Sequence, residues 1–349
     1  MIERARMLPA SRVGWLTVWC GFALLAALPF VVEPFYVGLI TTAMIASMLA
    51  LSLQLLVGAT GLVSLGHGAF FGLAAYIVYL ISPEGAARPV WLTLPAAMLA
   101  AGAAALLVGA ISLRTRGFFF LMVTLAFGQL IYSVFHDTQL GGGTDGAYLA
   151  RPVLSAFGLE LDPRELPRAY RAWVPYYMAL TQLVLMFTVL ALLLRSMFGR
   201  VLAGIRINEN RMAALGYDTY RFKLAAFTIA GALAGAAGHM WAMQSGSVNP
   251  ELLGWHRSAE ALLHILIGGI GTLTGPIVGA FAFIFLDDWA QQVTDRKLLV
   301  EGFVILVAVL LLRHGITGLR LPAFLHASRQ PAPLPRSSGS ANGETAHGN

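Results

Sequence analysis

Titratable and nucleophilic side chains are where chemistry would start, and few of them lie inside the apolar stretches of this chain. Glu260, Glu301, Asp287 and Asp288 fall near the predicted ends of apolar segments, which leaves His67, His239 and His264 as inner groups. A proton- or ion-coupled carrier places Asp, Glu, Lys, Arg or His deep in its spans, because a relay needs groups that titrate. The three histidines stand on separate segments without metal-ligand spacing, so each reads as a hydrogen-bonded packing residue before it reads as a relay or a ligand. Ser64 and His67 lie three apart, which on a helix puts them on one face, but no acid is placed to orient the imidazole. No GxSxG, HExxH or Walker A sequence occurs, so the chain is not expected to hydrolyse ATP and a membrane enzyme is disfavoured. The energy for any transport has to come from elsewhere.

The glycines say more. GATGLVSLGHGAFFG, from Gly58 to Gly72, and GGIGTLTGPIVGA, from Gly268 to Ala280, are glycine-rich breaks beside unusually short apolar segments. Paired interruptions of this kind in the two halves of a transporter point to a path built from broken helices, where freed backbone groups meet the cargo. The candidates for such a path are Gly61, Ser64, Gly66, His67, Gly68, Gly269, Gly271, Thr272 and Gly275. Small residues also serve close helix packing, and both uses can hold at once.

The elements that would position these residues follow from composition. The 349 residues are 58% hydrophobic and only 11% charged, with a mean hydropathy of +0.73; soluble domains carry about 25% charged residues. The reading is an all-α, polytopic membrane helix bundle. Ten segments are expected, at 14–32, 35–57, 69–81, 90–112, 117–135, 175–194, 224–243, 259–270, 276–289 and 298–312. A straight span takes about 20 apolar residues, so 69–81, 259–270 and 276–289 must borrow length from the adjoining glycines or be half-helices within the bundle. The single cysteine, Cys20, excludes an intrachain disulfide or a cysteine-based metal site and reads as a small core residue. Residues 1–13, with Arg4, Arg6 and Arg12, precede a run too long for a signal-peptide core and suit an uncleaved anchor.

A formal charge of +6 and a pI near 9.7 would suggest nucleic acid in a soluble protein, but no nucleic-acid motif appears. Orientation accounts for the sign instead. With Met1 in the cytoplasm, 15 of the 23 basic residues fall in cytoplasmic loops and 8 outside, as the positive-inside rule requires. Both termini are then cytoplasmic. The permease domain occupies 14–320, with a long external loop at 136–174 and a long cytoplasmic loop at 195–223, and 321–349 is a tail rich in Pro, Ser, Gly and Asn that is expected to be disordered. The external loop opens with GGGTDG, has room for a short surface helix broken by Pro163 and Pro167, and is long enough to dock a partner. The cytoplasmic loop holds six of the basic residues, and it reads either as an orientation signal or as the place where a soluble partner applies force.

Several stretches, in order, resemble the LivM-type permease subunit of bacterial branched-chain amino acid ABC importers. They are LLVGATGLVSLGHGAFFGLAAY, RTRGFFFLMVTLAFGQLI, GGGTDG, FGRVLAGIRINENRMAALGYDTYRFKLAAFTIAGALAGAAG, and LIGGIGTLTGPIVGA followed by RHGITGL, together spanning about Met44 to Leu319. The resemblance implies half of a translocation path that pairs with a LivH-type permease in the lipid bilayer of the bacterial inner membrane. It also implies two cytoplasmic ABC ATPase subunits, which bind ATP and Mg while this chain binds no cofactor, and a periplasmic substrate-binding protein. In such permeases a short helix of the cytoplasmic loop docks into the ATPase. Arg206, Glu209, Arg211, Ala213, Ala214 and Gly216 look like this chain's version of it, with Met212, Ala213 and Leu215 as a small apolar face, Gly216 as a left-handed helix stop, and Arg206, Arg211 and Arg221 toward acids or lipid headgroups. Asn210, Arg211 and Met212 stand between Glu209 and the two alanines, a departure from the family's EAA pattern. A cargo of leucine, isoleucine and valine is implied; urea or short amides in a related importer, or a stand-alone carrier or channel, are the alternatives.

Overall fold

Apolar runs interrupted only by glycine and small polar residues give a bundle of helices in the computed structural model, which describes residues 7–8, 12–82, 90–149, 154–156, 159–161, 170–293, 299, 302–303, 306 and 315–318. The described residues fall in one compact unit, 1–319; residues 320–349, with the tail expected to be disordered, lie outside the described residues. The helices are α1 (Arg12–Ala27), α2 (Pro34–Gln54), α3 (His67–Ile81), α4 (Val90–Ser112), α5 (Phe118–Asp137), α6 (Trp173–Arg195), α7 (Met197–Ile207), α8 (Glu209–Ala214), α9 (Thr219–Ser245), α10 (Trp255–Gly268) and α11 (Gly275–Val293). Among the described residues, six helical stretches are long and apolar enough to cross a membrane: Val13–Phe30, Pro34–Thr60, Val90–Ser112, Phe118–Asp137, Trp173–Arg195 and Thr219–Ser245. The protein is therefore a multi-pass membrane protein. Of the segment expected at 298–312, only residues 299, 302–303 and 306 are described, and they are helical.

α2 is the axis of the bundle, packed on α6, α9, α10 and α11 and buried along most of its length. It begins at Pro34, where a missing N–H costs nothing, and ends in a π-helical turn over Leu55–Thr60 that closes on Gly61 at φ +77°. Beside it, α9 meets α3 and α4 through small residues. A Cβ on Gly235 would lie 2.6 Å from the Ala101 Cβ, and one on Gly231 would collide with Ala105. In lipid no hydrophobic force drives helices together, so such close backbone approach supplies the attraction. α1 is peripheral, with Val13, Leu16 and Leu24 outward. Cys20 shares that exposure, which corrects its reading as a core residue: an apolar run looks the same whether it faces protein or lipid.

Where α9 ends, the chain turns inward. Ser247–Val248 (β4) pairs antiparallel with Ala147–Tyr148 (β1) in the loop after α5, and Pro250, Leu252 and Leu253 are then buried in a 3-10 turn. The long loop expected at 136–174 also holds a hairpin of Leu154–Ala156 (β2) and Leu159–Leu161 (β3). The stretch with room for a surface helix, 162–169, lies outside the described residues. α10 starts from inside the bundle, because Leu252 and Leu253 pack on Gly72, where a Cβ would sit 2.7 Å from the Leu252 carbonyl carbon.

Candidate functional site

The first glycine break begins within the π-helical turn that ends α2 at Thr60, and the chain rejoins helix at His67. Most of its glycines are points of contact. A Cβ on Gly66 would strike the Thr124 carbonyl of α5, and one on Gly68 would lie 2.9 Å from the Gly254 carbonyl and from Arg257. Gly61 is the open one, exposed and in the left-handed region. His67 is fully buried, with Nε2 2.8 Å from Ser52 Oγ. The Ser52 hydroxyl donates to the Leu49 carbonyl at 2.6 Å, so the imidazole must be the donor to Ser52. That leaves His67 Nδ1, like the neighbouring Ser64 hydroxyl, buried and without a partner among the described residues.

The second break, between Gly268 and Gly275, lies against the first. Gln54, the last residue of α2, donates through Nε2 to the Ile270 carbonyl at 2.6 Å and the Thr272 carbonyl at 3.1 Å. Thr272 caps α11 by accepting from the Gly275 N–H at 3.1 Å and meets Thr317, which in turn donates to the Gly268 carbonyl. Gly269, at φ +118°, and Gly275 are packed so closely that a Cβ on Gly275 would reach the Gly269 carbonyl, whereas Gly271 faces open space. The two breaks singled out in the sequence are thus linked through Gln54, and of their nine candidate residues all but Gly61 and Gly271 are packed closely against backbone or side chain.

The 195–223 loop folds into α7 and α8, separated by Asn208, whose side chain accepts the Arg211 N–H and caps α8. The helix stops as a glycine-terminated motif: Tyr217 N–H bonds the Met212 carbonyl, Gly216 N–H bonds the Ala213 carbonyl, and Gly216 takes φ +88°, a conformation glycine adopts without a Cβ penalty. Arg206 turns toward the protein and donates to the Gly58 carbonyl of the first break. Glu209 accepts from Lys223 at 2.6 Å and from Thr219 at 3.2 Å, and Arg221 pairs with Asp218. Burial raises the Glu209 pKa, but the Lys223 ammonium and the Thr219 hydroxyl outweigh it, so the carboxyl lies below its ordinary value. Met212 packs on Gly204 of α7. The surface left outward comprises Arg211, Ala213, Ala214, Leu215 and Gly216, with Leu215 66% exposed.

A further group was not assembled by sequence reasoning. Arg257, Glu260 and His264 follow one another at three and four residues along α10, one face of a helix, and α10 begins beside Gly68. Gly68 is 13 residues from the far end of α3, or about 20 Å at a rise of about 1.5 Å per residue. Against a hydrocarbon core about 30 Å thick, the start of α10 lies part-way along α3, and Arg257 and Glu260 are part-exposed there, at 31% and 42%.

A family model described as branched-chain amino acid transport system / permease component matches residues 35–312, a stretch that contains both glycine breaks, the α7–α8 loop and α10. The chain belongs to this permease family. It is 31% identical over 319 residues to the high-affinity branched-chain amino acid transport system permease protein LivM of Escherichia coli K12, covering 86% of this chain and 74% of that one. The LivM protein of Salmonella typhimurium LT2 is 30% identical over 340 residues, 92% of this chain and 76% of the relative. The permease protein BraD of Pseudomonas aeruginosa PAO1 is 25% identical over 301 residues, 78% and 91% of the two. No solved structure matches.

Within this permease, sequence reasoning missed Gln54 and Lys223 as well as the α10 group. Gln54 looked like one polar residue in an apolar run, and its only sequence signal was that a buried amide must find partners. Lys223 signalled less, since a lysine at a helix entrance is normally a solvated one.

Proposed function

We propose that this permease is the LivM-type transmembrane subunit of an ATP-driven ABC importer for leucine, isoleucine and valine in a bacterial inner membrane. The cargo class is inferred from the names its relatives carry, and the cytoplasmic placement of both termini and of α7–α8 from the basic-residue asymmetry. On this reading the permease works with a LivH-type permease, two cytoplasmic ATPase subunits that hold ATP and Mg, and a periplasmic binding protein. It binds no cofactor itself and carries out no reaction.

One observation carries the mechanism: the Arg206 guanidinium holds the Gly58 carbonyl, which joins the α7–α8 loop directly to the first glycine break. In this mechanism the ATPase grips the outward surface of α8, formed by Arg211, Ala213, Ala214 and the glycine stop at Gly216. On the inner side Glu209 fastens α8 to α9, and Arg206 fastens α7 to the break. Closure of the ATPases then pulls the break, and Gln54 passes the displacement to the second one. The path runs past Gly61, Ser64, Gly66, His67 and Gly68 on one side and Gly269, Gly271, Thr272 and Gly275 on the other, with the packed glycines as sliding contacts in place of ligands.

The test is leucine uptake into proteoliposomes holding the permease with its partner subunits. Uptake is expected to require ATP, and Ala213→Glu, which puts a charge on the outward face of α8, is expected to cut uptake about tenfold or more, the worth of one misplaced charge at an interface. Full-rate uptake by the permease without any ATPase would overturn the reading; unchanged uptake in Ala213→Glu would remove α8 from the coupling role.

A further inference from the structure

A cavity of about 540 Å³ opens beside the first turns of α10, between α2, α3, α9 and α11, within the roughly 300–1,000 Å³ typical of small-ligand sites. One part of its wall is aliphatic and aromatic, with Ile45, Leu49 and Phe71. Another part is charged. Arg257 lies 3.0 Å from Glu260, with its guanidinium 5.0 Å from the centre of the Trp241 ring, and Asp287 of α11 faces the same space. His264 also lines it. This imidazole is 4% exposed, and both of its ring nitrogens are buried with no hydrogen-bond partner among the described residues.

Two features make this more than a cluster of charges. A buried polar group without a partner costs free energy comparable to a lost hydrogen bond, and here a side chain with one N–H to give and one lone pair to receive borders an open cavity. The Arg257–Glu260 pair, moreover, joins residues of one helical turn, and beyond it Arg257 only stacks on the Trp241 ring of α9. Pairs of that kind contribute a few tenths of a kcal/mol, so these two charges, 31% and 42% exposed, are held only weakly to each other beside the cavity. A ligand bearing both charges could take up both partners and leave the net charge of the site unchanged. A ligand with a single charge would strand one of them.

The geometry points to a binding site for the zwitterionic head of an α-amino acid, and the inference rests on the reading of the chain as an amino-acid permease. The carboxylate goes to the Arg257 guanidinium at the α10 N-terminus, where the helix dipole favours an anion. The ammonium goes to Glu260 and Asp287, the head group supplies the missing partner of His264, and the aliphatic side chain packs on Ile45, Leu49 and Phe71. The permease itself then selects for zwitterions with apolar side chains, in addition to any selection by a binding protein.

The experiment is equilibrium binding of radiolabelled leucine to the assembled permease and ATPase complex in lipid nanodiscs, without binding protein, beside ATP-driven uptake by the complete importer. Saturable binding is expected, competed by isoleucine and valine but not by leucinamide or 4-methylpentanoate, each of which lacks one charge. Arg257→Gln and Glu260→Gln are each expected to weaken binding about tenfold or more, the loss of one charge-assisted hydrogen bond. Ala46→Phe fills the cavity from α2 with every charge retained and is expected to abolish binding in a complex that still assembles. Restoration of wild-type binding by the exchanged pair Arg257→Glu with Glu260→Arg would overturn the site, because a mere brace survives exchange and an oriented head-group site does not. Wild-type binding in Ala46→Phe, or competition by leucinamide equal to that by leucine, would also overturn it. If the importer carries leucine but the complex binds none, this site fails alone; if the importer carries no branched-chain amino acid, the functional reading beneath it fails.

Discussion

Two ion pairs of this permease look alike on paper and differ in what they join. Lys223 and Glu209 lie 2.6 Å apart and connect α9 to α8 across 14 residues of chain. Arg257 and Glu260 lie 3.0 Å apart within one turn of α10. The first pair fixes one element on another, at the membrane surface end of the bundle. The second joins residues that the helix already holds, while Arg257 also stacks on Trp241 of α9, and both side chains stay part-exposed beside a cavity. The contrast teaches that a charge is placed by the path of its backbone, and that an ion pair within one helical turn tethers little and can exchange partners.

The sharpest way to break the contrast is to move α10 outward. Gly72→Leu places a side chain where Leu252 and Leu253 pack, and an overpacked contact of this kind costs about 3 kcal/mol. The detergent-purified assembly is expected to melt several degrees lower, and leucine uptake to be lost, because Arg257 and Glu260 leave the cavity. Lys223→Met comes next. It removes the tether but keeps most of the buried stem, for about 1.5 kcal/mol, the worth of a hydrogen bond to a charged group. Limited proteolysis at Arg211 is expected to accelerate while α10 is untouched.

The smallest effect is that of acid on the tether. Glu209 has a pKa below its ordinary value in the folded protein, so its stabilising contribution is complete above the ordinary carboxylate range and is lost as pH falls through the lowered folded value. Proteolytic protection of α8 is expected to decline over that acid window in the wild type and to be flat in Glu209→Gln. An equally steep decline in Glu209→Gln would show that other groups set the response.

These two pairs also mark what the sequence could reveal. The helix stop at Gly216 was legible because a glycine after a short apolar stretch has a local reason to be left-handed, and the basic loop was legible because charge counts need no tertiary structure. The placement of Arg257 and Glu260 was not legible. Hydropathy placed them at the end of a segment, and only the turn through Pro250–Leu253, seated on Gly72, brings that end against α3 and the cavity. The glycine breaks were found as breaks, but their use as contact points at Gly66, Gly68 and Gly275 depends on which helix lies opposite. Cys20 was misread for a related reason, since lipid and protein ask for the same side chains.

Gln54 donates both hydrogens of one amide group to two carbonyls on a distant stretch of chain. The two thin places in this bundle therefore do not loosen independently, since either movement alone would strip a buried amide of both carbonyls it holds. Their fates hang on a single NH2 group. Exchanging it for the oxygen of a glutamate would turn two attractions into two repulsions, making residue 54 a position where the smallest change of atoms carries one of the largest changes of sign.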